Sequence, residues 1–195
     1  MTHRREVVLD IETQNTFQDV GAYNPALLKV SLVGVYFYDT DTFESFLEKD
    51  LPKLWPRLER TDRIVGYNIK GFDMPCLQSY YTGEIMKLPM YDIMFEIADR
   101  IGFRVKLEDV AQATLGVGKS GHGLQAVEFW KNGEIDKLRD YCLQDVKVTR
   151  DVYEHALANG EVKYNDRSGT PQTVSLSVEL PHAADQPAIN LSLGL

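Results

Sequence analysis

Glu6-Val7-Val8-Leu9-Asp10-Ile11-Glu12 is the stretch whose reading decides the fold. Its β-branched, apolar start describes a buried strand, and its acids put the strand's end at a functional edge. Asp10 and Glu12 stand two residues apart, so on a strand their side chains share one face. Two like charges held side by side cost free energy unless a cation sits between them, and all-oxygen ligands suit Mg2+ or Mn2+. A solvated strand end is the plainer alternative, and the pair alone does not exclude it.

Working outward, residues 13–26 are polar, with Asn15, Gly21 and Asn24-Pro25, and read as a loop. Residues 30–38 are rich in β-branched and aromatic side chains. Asp39-Thr40-Asp41 then turns into residues 42–47, which completes a three-strand antiparallel meander. Apolar spacing predicts a helix over 51–60, with Pro52 in its first turn. A fourth strand over 63–68 leads to a helix over 71–81, and a strand over 88–92 leads to a helix over 93–101. Shorter helices over 107–115 and 124–130 precede a long final helix over 134–158, stopped by Asn159-Gly160. Strands alternating with helices imply an α/β sheet. Beyond Gly160, residues 161–164 and 173–178 read as a β-hairpin across the turn-like 165–169, and 181–195 as an aperiodic tail. The expected organisation is an α/β domain over 1–160 and a hairpin with tail over 161–195.

Composition narrows the function classes. The 195 residues are 44% hydrophobic and 26% charged, the balance of an ordinary globular chain of roughly one domain plus an appendage. A formal charge of −8 argues against gripping nucleic acid through a broad basic face. No apolar run approaches the ~20 residues needed to cross a bilayer, and the first five residues lead into Glu6 rather than a signal segment, so a cytoplasmic protein without membrane contact is expected. Cys76 and Cys142 are the only cysteines, which fits two buried reduced thiols rather than a disulfide framework.

Two further segments carry chemistry. In the long helix, Tyr141 and Asp145 lie four residues apart and project from one face together with Leu138 and Thr149, so that face should point inward. A carboxylate there needs a partner, for which a Tyr–Asp hydrogen bond would suffice. In Gly66-Tyr67-Asn68-Ile69-Lys70-Gly71-Phe72-Asp73, a strand runs into a glycine-permitted turn that opens a helix. There Asp73 would by default be a helix cap and Asn68 a turn residue.

Taken together, residues 8–13, Gly66-Tyr67-Asn68 through Phe72-Asp73-Met74-Pro75 with Leu77, and residues 141–145 resemble the three motifs of the DEDD superfamily of 3′–5′ exonucleases, in its tyrosine subgroup. The second motif looks most like the proofreading domain of family-B DNA polymerases and its stand-alone relatives. The likeness extends over residues 6–158, including Tyr153. A second subgroup carries histidine five residues before the last aspartate, and that position here is Asp140.

The resemblance implies a ribonuclease H-like mixed sheet with three antiparallel strands first. It implies that Asp10, Glu12 and Asp145 ligate a metal ion that activates water, that Asp10 bridges to a second ion, and that Asp73 holds the second ion partly through water. Tyr141 would orient the attacking water, and Asn68 and Phe72 would contact the 3′-terminal nucleotides. The cofactors would be two Mg2+ or Mn2+ ions acting on an in-line displacement at phosphorus. The substrate would be single-stranded DNA 3′ ends, with an exoribonuclease of the ribonuclease D type as the alternative and a non-catalytic binding module as a third reading. A replication or repair protein as partner stays open.

Leu115-Gly116-Val117-Gly118-Lys119-Ser120 imitates the end of a P-loop, but the required first glycine falls on Ala113 and no strand precedes it. Lys119 is instead a candidate contact for a substrate phosphate, with a solvated lysine as the equal alternative. The four histidines are scattered and none is assigned a catalytic role.

Overall fold

The computed structural model describes residues 4–117 and 124–181. Strands β1 (Glu6–Thr13), β2 (Val30–Phe37) and β3 (Thr42–Leu47) form the expected antiparallel meander. Strands β4 (Arg63–Gly66) and β5 (Met90–Asp92) add in parallel on the other side of β1, giving the order β3-β2-β1-β4-β5. This mixed sheet with flanking helices is the ribonuclease H-like architecture that the sequence implied.

Alternation along β1 divides the core between the two faces of the sheet. Val7, Leu9 and Ile11 pack with Leu51, Leu54, Leu58, Met74 and Leu77 on one face. Val8 faces the other way, into a cluster with Ile93, Val110, Val146, Val152 and Tyr153. Those partners belong to helices α4 (Ile93–Ile101), α5 (Leu107–Leu115) and α7 (Ile135–Asn159). Asp10 and Glu12 continue the Val8 face, so they emerge beneath α7.

Departures from the expected elements have local causes. Residues 13–26 hold a one-turn helix, α1 (Phe17–Val20), and residues 25–27 a 3-10 turn. A capping box between Thr16 and Asp19 starts α1, and Gly21 at φ 68° ends it in a conformation that favours glycine. The helix expected over 51–60 is a 3-10 segment, Glu48–Lys53, followed by the single turn α2 (Trp55–Leu58), because Pro52 and Pro56 remove backbone donors. Helix α3 (Asp73–Leu77) begins two residues late, since the amides of Gly71 and Phe72 both donate to the Asn68 carbonyl in the preceding turn. Helix α6 (Leu124–Lys131) precedes α7, whose end is capped by Gly160 at φ 69°. Strands β6 (Glu161–Asn165) and β7 (Pro171–Ser175) form the hairpin, with β7 earlier and shorter than expected because its partner runs out: the Leu176 amide still bonds the Gly160 carbonyl, and before Gly160 the chain is helix α7. Most of the expected tail, 182–195, lies outside the described residues.

Helix α7 is fixed at two points. Near its C-terminus the Tyr153 hydroxyl donates to Glu6 Oε1 at 2.7 Å, in a buried cluster with Arg4 and Arg63. Nearer its middle α7 lies on β2 opposite Gly34, where a Cβ would meet Cys142 Sγ at 2.8 Å and Val146 at 3.0 Å. Gly34→Ala should therefore destabilise the protein by ~1–3 kcal/mol through overpacking. Urea denaturation checks this, and an unchanged midpoint would mean that the helix is not held at that distance.

Candidate metal centre

The first of the candidate acids stand at the end of β1. The pairing register with β2 shifts between Glu12 and Thr13, which ends regular pairing where the strand reaches the cleft. Glu12 is 8% exposed, and Asp10 is partly open to the cleft. Asp73 starts α3 without capping it: the N-cap is Phe72, and Asp73 Oδ1 accepts from the Ile11 amide at 3.1 Å. The capping role expected for Asp73 is thus replaced by a bond to the strand between the other two acids. From the opposite side, α7 contributes Tyr141 and Asp145. All five line one cleft of about 470 Å³, together with Asn68 and Phe72. Lys119 lies outside the described residues.

Asn68 is the turn residue foreseen, at φ 65°. Its amide donates to Asp92 Oδ1 at 2.9 Å, the Lys70 amide donates to Asp92 Oδ2 at 2.9 Å, and the Phe95 amide to Oδ1 at 3.2 Å. Asp92 therefore caps α4 and at the same time fixes the turn that presents Asn68. Sequence reasoning passed over it, although an aspartate between a strand and a helix is the pattern of an N-cap.

Cys142 is the other missed residue. Its buried Sγ donates to the Asp10 carbonyl at 3.6 Å and to Asp10 Oδ2 at 3.7 Å. Helical spacing could have found it, because Cys142 and Asp145 stand at i and i+3. One ligand atom each from Asp10, Glu12 and Cys142 lie within 4.8 Å of one another. Burial first, then the charges of Asp10, Glu12 and Asp145, pushes the thiol well up, so it stays protonated and donates. The hard donors are the carboxylates.

These carboxylates are held at an electrostatic cost. Enclosure, then the charges of Asp73, Glu12 and Asp145, raises the Asp10 carboxyl well above the usual range. Burial, then Asp145 and Asp73, does the same for Glu12. Burial pushes Asp73 up to about 7, with the Asp92 charge adding to it and backbone donors opposing it. Burial and the same acids also raise the Tyr141 phenol, which therefore remains a donor. Charges 4.8 Å apart repel by about 3 kcal/mol at an effective dielectric constant near 20. Among the described residues, none forms an ion pair with Asp10, Glu12 or Asp73. A divalent cation is the group that relieves this repulsion, and the oxygen donors fit one.

A family model of the ribonuclease H superfamily matches residues 7–157, and the chain belongs to that superfamily. No curated protein matches in sequence. Among solved structures, the fold is similar to a family B DNA polymerase from the hyperthermophilic archaeon Pyrobaculum calidifontis, with 20% identity and a TM-score of 0.59. That match covers 78% of this chain and 24% of the polymerase, so the chain spans about a quarter of that protein's length. The likeness is one of fold.

The raised Asp73 carboxyl fixes a pH dependence for the metal-free protein. Asp73 holds its proton to about pH 7 when folded, whereas an unfolded aspartate releases it near ~4. Between these values the folded state binds the extra proton, so stability falls as pH rises, by up to about 1.4 kcal/mol per pH unit. In EDTA, Asp73→Asn should remove this slope and gain stability relative to wild type across the window. Urea titrations at successive pH values check it, and a wild-type-to-variant difference that is flat with pH contradicts it.

Proposed function

We propose that the protein is a metal-dependent 3′–5′ exonuclease that hydrolyses the terminal phosphodiester of single-stranded DNA and releases nucleoside monophosphates. The observation that carries this reading is the convergence of Asp10, Glu12, Asp73, Asp145 and Tyr141 on one cleft, in the motif order of the tyrosine subgroup of DEDD exonucleases. Superfamily membership and the fold shared with a DNA polymerase support it.

Asp10, Glu12 and Asp145 would hold one divalent ion, and Asp10 with Asp73 a second, Mg2+ or Mn2+ being the ions that carboxylates favour. Bound there, such ions supply Lewis-acid activation of water and neutralise charge on the phosphate. The chain's own groups do the positioning. The protonated Tyr141 hydroxyl donates to the attacking water and aims it at phosphorus. Asn68, on its fixed turn, hydrogen-bonds the terminal nucleotide, while the Phe72 ring offers it a stacking face. Cys142 holds Asp10 through its carbonyl and carboxylate. Lys119 is a further proposed phosphate contact. On this reading residues 1–160 are the catalytic domain and 161–195 an accessory hairpin and tail, in a cytoplasmic protein.

Oligonucleotides labelled at either end test the proposal. With Mn2+ or Mg2+, wild type should shorten 5′-labelled single strands progressively and release the label of 3′-labelled ones first as mononucleotide. Asp10→Ala and Asp145→Ala should each lose at least about 10³-fold, and Tyr141→Phe roughly 10²-fold in kcat. Preferred digestion of RNA would move the protein to the ribonuclease D type. Absence of 3′ shortening, or equal activity in Asp10→Ala, overturns the reading.

A further inference from the structure

Segment 13–28 is more built than a connecting loop requires. The capping box closes α1, the Lys29 amide donates to Asn15 Oδ1 at 2.9 Å, and Gln14 Nε2 donates to the Val30 carbonyl and to Glu48, each at 2.8 Å. What this framework presents is a ring. Tyr23 is 86% exposed, and its ring meets Phe17 with centroids 4.3 Å apart and planes tilted by 37°. Phe17 in turn meets Phe72 edge-on at 6.0 Å, and both phenylalanines line the cleft that holds the acids.

Tyr23 thus touches Phe17 and is otherwise open to water, at the end of an aromatic series that starts at the proposed seat of the terminal nucleotide. An exposed aromatic ring in that place offers a stacking face, and every nucleobase has a face to match it. The net charge of −8 makes such stacking a better source of grip than phosphate attraction. We infer that Tyr23, whose ring meets Phe17, stacks a base upstream of the 3′-terminal one. This rests on the proposed exonuclease reading for the direction of the strand, and its test does not depend on turnover.

The probe is a single-stranded DNA of about a dozen nucleotides with phosphorothioate terminal linkages and 2-aminopurine second, third or eighth from the 3′ end, in Ca2+. Wild type should quench the fluorophore at the second or third position and not at the eighth. Tyr23→Ala should abolish that quenching and weaken binding roughly tenfold, and Tyr23→Phe should restore both. Because the side chain is mostly exposed, the variants should unfold at the wild-type urea midpoint. Equal quenching in Tyr23→Ala, or no binding by wild type, overturns the inference. Digestion from the 3′ end without Tyr23-dependent quenching would sink this inference alone; Tyr23-dependent quenching without digestion would leave it standing and sink the exonuclease reading.

Discussion

Helix α7 is pressed onto strand β2 at a point where only a glycine fits between them, and the candidate metal centre depends on that approach. Gly34 pairs with Asp10 across the β1–β2 ladder, so the space left by its missing side chain is next to the first acid. Cys142 fills that space and bonds to Asp10, which sets Tyr141 and Asp145 over the cleft on either side of it. The buried Tyr153–Glu6 bond fixes the far end of the helix. With the helix tied at these two points, the acids of α7 and β1 are brought together by the core and not by their own interaction, which is repulsive.

Strand β1 carries two kinds of buried acid, and their surroundings tell their roles apart. Glu6, 1% exposed, is matched by Arg4, Arg63 and the Tyr153 hydroxyl, so its charge is neutralised within the fold. Asp10 and Glu12, a few residues on, are surrounded by further carboxylates that raise them both. Among the described residues the fold provides two guanidinium groups for Glu6 and none for Asp10 or Glu12, an electrostatic cost that a cation from solution would relieve.

Much of this was legible in the sequence. The alternation of residues 6–12 identified a buried strand with its acids on one face, and the apolar spacing of residues 134–158 identified the helix that covers them. The centre was harder to read because its second layer is made of residues with ordinary local explanations. Asp92 looks like a helix cap and is one, yet the same carboxylate holds the Asn68 turn, a contact across 24 positions that no local pattern contains. Cys142 looks like core filling and is that too, but it touches Asp10 from 132 positions away. Asp73 misled in the opposite sense: a helix-start aspartate suggests a cap, and a tertiary bond to the Ile11 amide prevailed. The loop assigned to residues 13–26 failed because a one-turn helix has no periodicity to detect, although Thr16, Asp19 and Gly21 spell its caps.

The carboxylates gathered from β1, α3 and α7 are proposed as a seat for divalent cations. Anomalous scattering from crystals soaked in Mn2+ tests this most directly. A strong peak bonded to oxygens of Asp10, Glu12 and Asp145 is expected, with Cys142 Sγ outside the coordination shell. Manganese found only at exposed surface acids, with the cleft carboxylates unliganded at neutral pH, would contradict it.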